Sequence, residues 1–103
     1  MNCSNQLSKK AVEASTAQIN KETMLKAEVY PNPSETGFTL KVSSNSVDQV
    51  KIRVIDIYGR SVHQTKGSAN YSYKFGQHFI PGAYIVEILQ GSDVRTIKII
   101  KNN

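Results

Sequence analysis

Gln49–Lys66, QVKIRVIDIYGRSVHQTK, is the stretch on which the fold turns. Its first half alternates: Val50, Ile52 and Val54 fall on one side, Lys51 and Arg53 on the other. Successive side chains of an extended chain point to opposite faces, so this is the period of a half-buried strand. IDIYGR then interrupts the alternation with turn chemistry. Asp56 can accept backbone N–H bonds across a reversal, and Gly59 can take φ > 0. A second extended run, Ser61–Lys66, follows at once, too soon for a crossover through a helix. The stretch reads as an antiparallel hairpin.

The same period recurs on both sides. FTLKVS sets Phe38, Leu40 and Val42 against Thr39, Lys41 and Ser43. YSYKF places Tyr71, Tyr73 and Phe75 on one face, and AYIVEI does the same with Tyr84, Val86 and Ile88. RTIKII sets Ile97 and Ile99 against Lys98 and Ile100. A short run near Ala27–Tyr30 brings the expected total to about seven strands. Pro81–Gly82 and Gln90–Asp93 supply further turns. No helical pattern separates the runs, so parallel βαβ units are not expected. The reading is an all-β antiparallel sandwich.

VYPNPSETGFTL, Val29–Leu40, leads into this region. Pro31 and Pro33 lack an N–H and fix φ near −65°, and each pushes the residue before it toward extended conformations. YPNP is therefore expected to end a short first strand and to carry the chain stiffly from one sheet to the other. Asn32 is expected to fold its amide onto nearby backbone, with a binding role as the alternative. Gly37 releases the chain into the next strand.

Composition sets outer limits. The chain has 103 residues, enough for one domain, with one cysteine and no tryptophan. A domain this small buries only about 60% of its unfolded surface, so its core must be efficient. The formal net charge of +5 is spread along the chain, too diffuse to argue for nucleic acid. Cys3 excludes an internal disulfide and reads as a stray thiol or the partner of a cysteine in an upstream domain. MNCSNQLSKK has no apolar stretch behind its lysines and is not a secretory signal peptide. A role outside the cytoplasm would make the chain a piece of a larger precursor. Residues 1–28 are polar, with a thin apolar face in any frayed helix over Ser8–Lys26. They are expected to be a largely disordered linker or the tail of an upstream domain, with the folded domain over residues 29–103.

Catalytic motifs are not found. There is no G-x-S-x-G, phosphate loop or C-x-x-C. His63 and His78 fall on separate predicted strands with no carboxylate at ligand spacing and read as rim histidines. Asp48, Asp56 and Asp93 lie in or beside turns, where a calcium site would need a compact D-x-D-x-D loop that is not there. The reading is a non-enzyme with no cofactor and no metal. Two features remain. The aromatics Tyr71, Tyr73, Phe75, Phe79 and Tyr84 read as packing between sheets, or as a stacking platform for a sugar or peptide. Lys41, Lys51, Arg53, Lys98 and Lys101, assigned to outward faces, read as solvated strand faces that discourage edge pairing, or as a docking face for an acidic partner.

Taken in order, YPNP, GFTL, VIDIYGRSV, PGAYIVEI and the terminal TIKIIK resemble the type A C-terminal sorting domain of the type IX secretion system. The resemblance covers Val29–Lys101. The family's proline-rich entrance falls on Pro31, Asn32 and Pro33, and its D-x-x-G-R turn on Asp56, Gly59 and Arg60. Its G-x-Y strand falls on Gly82 and Tyr84, and its terminal lysine–apolar–apolar–lysine on Lys98, Ile99, Ile100 and Lys101. YSYKFGQHF departs from the plainer strand and loop usual there. The resemblance implies an immunoglobulin-like sandwich that acts as an address. Cargo fused N-terminally to it reaches the periplasm of a Gram-negative bacterium. The outer-membrane translocon and its shuttle proteins then recognise the domain. A sortase-type cysteine protease removes it at the cell surface, cutting before Glu28, and the cargo is released or attached to lipopolysaccharide. On this reading Lys98, Ile100 and Lys101 face a receptor. The alternative is an accessory carbohydrate- or adhesion-binding sandwich, which would show a flat exposed aromatic row.

Overall fold

The computed structural model describes residues 24–102, and they fold entirely as strands and connections. The strands are β1 (Lys26–Tyr30), β2 (Phe38–Ser43), β3 (Val50–Ile55), β4 (Ser61–Gly67), β5 (Tyr71–Phe75), β6 (Gly82–Gln90) and β7 (Asp93–Lys101). One sheet has the order β1-β2-β5, the other β4-β3-β6-β7. Every pairing between named strands is antiparallel. This is the immunoglobulin-like arrangement, with the fourth strand beside the third instead of beside the fifth.

Alternation explains the packing. Phe38, Leu40 and Val42 on β2 face Val50, Ile52 and Val54 on β3, with Tyr84, Val86 and Ile88 on β6 and Ile99 on β7. All are buried, as their period-two spacing requires. Each such side chain stabilises the fold by about 1.5–3 kcal/mol relative to exposure. The far end of the sandwich is closed by polar bonds instead. Buried Gln90 donates to the carbonyls of Ser46 and Asp48 and receives the Ser44 hydroxyl, so the β2–β3 connection is strapped to β6.

The structure corrects two expectations at the margins. The sandwich starts before residue 29: Lys26–Tyr30 is β1, and Leu25 is a core residue with its carbonyl held by the Arg95 guanidinium. The rest of the expected linker, with Cys3 and most of the Ser8–Lys26 segment, lies outside the described residues. The aromatic face of β5 is also graded. Phe75 is buried, Tyr73 is half-buried and Tyr71 is exposed. The opposing strand accounts for this: His63 of β4 stacks on Phe75, Gly67 abuts Tyr73, and β4 ends there. Tyr71 has nothing beyond Gly67 to pack on.

Candidate functional site

Sequence-distant motifs meet at one end of the sandwich. The pairings Tyr30–Thr39, Phe38–Phe75, Ile55–Ile85 and Gly82–Lys101 fix that end. Pro31–Pro33, the Asp56–Arg60 turn, Gly82–Tyr84 and the last residues of β7 all lie there.

The entrance closes the edge of β7. Both X–Pro bonds, Tyr30–Pro31 and Asn32–Pro33, are cis. Asn32 does not fold onto its own neighbours, as expected from sequence, but reaches β7. Its Nδ2 donates to the Lys98 carbonyl at 2.9 Å, and its Oδ1 accepts from the Ile100 amide at 3.0 Å. A side-chain amide has the donor and acceptor of a peptide group, so Asn32 stands in for one strand residue at an otherwise open edge. Ser34 continues the closure with main-chain bonds: its N–H donates to the Ile100 carbonyl, and its carbonyl accepts from Asn102. Ser34 and Lys101 form a parallel bridge, so the chain does cross from the first sheet to the second. The Ser34 hydroxyl, buried, donates to the Gly37 carbonyl and accepts from the Thr36 amide.

The Asp56 turn forms as its sequence requires. Oδ1 accepts from the amides of Tyr58 and Arg60, both at 2.9 Å, and Oδ2 pairs with the Arg60 guanidinium. Gly59 has φ 81°, a value that disfavours any side chain. Burial pushes the Asp56 carboxyl up, but the bonds from the Arg60 and Tyr58 amides and the Arg60 cation outweigh it. The net pKa lies below the ordinary value. Arg60 also sits over the Tyr58 ring.

Tyr84 opens the adjoining corner. Its ring is buried against Phe79 with centroids 4.6 Å apart, and its hydroxyl donates to the Ile80 carbonyl at 2.6 Å. This is the geometry of a tyrosine that pins a sandwich corner. Burial, followed by the Asp56 charge, raises its pKa. Gly82 is exposed, as is Ile80.

Lys101 overturns its expected placement. It is buried, not outward, and its ammonium donates to the carbonyls of Gly76, Gln77 and Phe79 at 2.8, 3.2 and 3.0 Å. Those acceptors lie on the connection between β5 and β6, so the last strand locks the loop that carries the Tyr84 corner. The signal was present in the alternation: Ile97, Ile99 and Lys101 share one parity, so Lys101 belongs on the core side. Of the terminal residues, Lys98 is exposed and Ile100 half-buried. No residue pattern marks Ser34 or the three carbonyls, because main-chain donors and acceptors carry no residue code.

The aromatic row is not a platform. Tyr71 and Tyr73 meet edge to face at 71°, Phe75 is in the core, and the Tyr73 hydroxyl is committed to the Ser68 carbonyl. Lys41, Lys51, Arg53 and Lys98 are exposed, with Arg53 paired to Glu87. Among the described residues no three His, Cys, Asp or Glu side chains converge as metal ligands would.

A family model described as the secretion system C-terminal sorting domain matches residues 28–102, nearly the whole sandwich. No curated protein matches the chain.

Proposed function

We propose, because the chain belongs to the family of secretion system C-terminal sorting domains, that this sandwich is the address read on cargo fused to its N-terminal side. The family makes it a sorting signal of type IX secretion, and so part of a secreted or cell-surface protein. In detail, the folded domain is held in the periplasm, recognised by the outer-membrane translocon and its shuttle proteins, and removed at the surface by a sortase-type cysteine protease. It is the substrate of that protease and performs no catalysis itself.

The observation that supports this reading is the convergence at one end. The proline entrance, the Asp56–Arg60 turn, the Gly82–Tyr84 corner and β7 lie far apart in sequence. Asn32 and Ser34 tie the entrance to β7, and Lys101 ties β7 to the connection that carries the Tyr84 corner. A translocon that binds this end would favour a completed fold, since the proline entrance and the β5–β6 connection take bonds from β7. Lys98 and Ile100 remain the terminal side chains available to such a receptor, while Lys101 acts from within.

Leu25 is in the core and Lys26 begins β1, so a protease that needs extended chain must cut before Leu25. The test is mass spectrometry of a reporter fused ahead of the chain and secreted by a bacterium that has this system. The new terminus is expected at or before Met24. A cut inside Leu25–Lys101, or secreted reporter that keeps the whole sandwich, contradicts removal of an intact address domain.

A further inference from the structure

The four-stranded sheet has two edges, and they are treated differently. The β7 edge is closed over its last residues, Lys98–Lys101, by Asn32 and Ser34, and further back the Arg95 side chain of β7 reaches the Leu25 carbonyl. The β4 edge, seven residues long, pairs with nothing among the described residues. Its outward side chains are Val62, Gln64 and Lys66, all exposed.

The surface beside that edge is positively charged. Lys66 of β4 lies directly opposite Lys51 of β3. Like charges facing each other across a strand pair lower stability. Neither ammonium has a carboxylate partner among the described residues, whereas neighbouring Arg53 is paired with Glu87. The next position along the row is Leu89 of β6, which gives the lysine pair an apolar floor. Together they line a shallow trough of about 650 Å³ on the outer face of the sheet.

An open edge offers main-chain donors and acceptors, and a strand added there would send alternate side chains onto this face. The lysine pair repels a second copy of the same strand but favours carboxylates at that parity. We propose that β4 receives an extended acidic segment of the secretion machinery as an added strand, with a carboxylate set beside Lys66 and Lys51 one strand further in adding its charge. This rests on the sorting reading for the identity of the machinery. The strand addition itself is tested without it.

The probe is a capped ten-residue peptide that alternates Glu and Thr, titrated into the isotope-labelled 103-residue chain and followed by amide NMR. Controls are a Lys/Thr alternation and a Glu/Thr peptide interrupted by proline, which cannot pair along an edge. Shifts should concentrate in Ser61–Gly67, weaken as salt rises, and be absent with both controls. Lys51→Gln with Lys66→Gln should raise the dissociation constant at least about fivefold while leaving the fold intact. Equal binding of the proline-interrupted peptide, or of an anionic polysaccharide at the same lysines, would mean a simple anion site and overturn strand addition. Shifts elsewhere, or none, would also overturn it. In cells, the same double variant fused to a reporter should be exported more slowly than wild type. Wild-type export of the variant, despite peptide binding in vitro, would remove this edge from the export route. Failure of the unmodified chain to direct export would instead count against the sorting reading, with the titration still deciding whether β4 accepts a strand.

Discussion

Replacing Lys101 by Met isolates the role of one buried ammonium. Met keeps the length and apolar stem of the side chain but donates nothing. The ammonium makes three bonds to main-chain carbonyls. Hydrogen bonds with one charged partner contribute about 1.5–3 kcal/mol each at most, which would sum to roughly 5–9 kcal/mol. Two effects reduce that figure. All three bonds belong to one ammonium, whose removal from water costs several kcal/mol. Gln77 is exposed, so its freed carbonyl regains water. The net loss expected for Lys101→Met is about 2–3 kcal/mol. Lys98→Met, three residues earlier on the exposed side, should change stability by less than about 0.5 kcal/mol. In urea, with a slope near 1 kcal/mol/M for a domain of this size, the first variant should unfold about 2–3 M earlier and the second at almost the wild-type midpoint. Lys101→Arg should not rescue, because a planar guanidinium cannot aim three donors as a compact ammonium does. Equal midpoints for Lys101→Met and Lys98→Met would refute the carbonyl cage.

Four further outcomes follow from the same end of the molecule. Tyr84→Phe should cost about 1 kcal/mol for one hydrogen bond, and Tyr84→Ala about 3–5 kcal/mol for a large buried ring; equal, negligible losses in urea would remove the corner. Gly59→Ala should cost about 1–2 kcal/mol through its positive φ alone, with no atom near the new methyl. Gly76→Ala should cost more, because at φ 84° its methyl would also lie 2.9 Å from the Phe38 ring and 3.2 Å from that of Phe79; thermal midpoints in the reverse order would contradict this. Asn32→Ala should speed exchange of the Ile100 amide, which loses its acceptor, and unchanged protection would show that another group closes the β7 edge. Asp56 has a lowered folded pKa, so its contribution to stability is present above the ordinary carboxylate value of 3.8 and is lost as pH falls through the folded value. Asp56→Asn should flatten that acid-side loss in thermal melts, and an unchanged pH profile would assign it to other carboxylates.

The strands were legible in the sequence because their apolar residues alternate strictly. Phe38–Leu40–Val42, Val50–Ile52–Val54 and Tyr84–Val86–Ile88 all enter the core as their parity demands. The Asp56 turn was legible because its bonds are local, between residues two and four apart. What was misread involves long range or an exception to polarity. Asn32 bonds to β7, 66 and 68 residues away, and no local rule selects that partner. Residue type alone puts Lys101 outward, since lysine is seldom buried, although the parity of β7 points inward. Where residue type and period disagree, a ring of main-chain carbonyls can decide for the period. The polar residues before Leu25 give it the look of linker sequence. One large apolar residue ahead of β1 was enough to extend the core.

An export address must carry whatever is fused to it across the outer membrane. The most direct measurement fuses the 103-residue chain behind a reporter enzyme that carries its own inner-membrane signal peptide. Reporter activity in the periplasm and in the medium is then compared between a bacterium with an intact type IX translocon and the same strain lacking it. Reporter is expected in the medium or on the cell surface with the translocon, and in the periplasm without it. Periplasmic retention in both strains, with the fused domain shown to be folded by its protease resistance, would contradict the sorting reading.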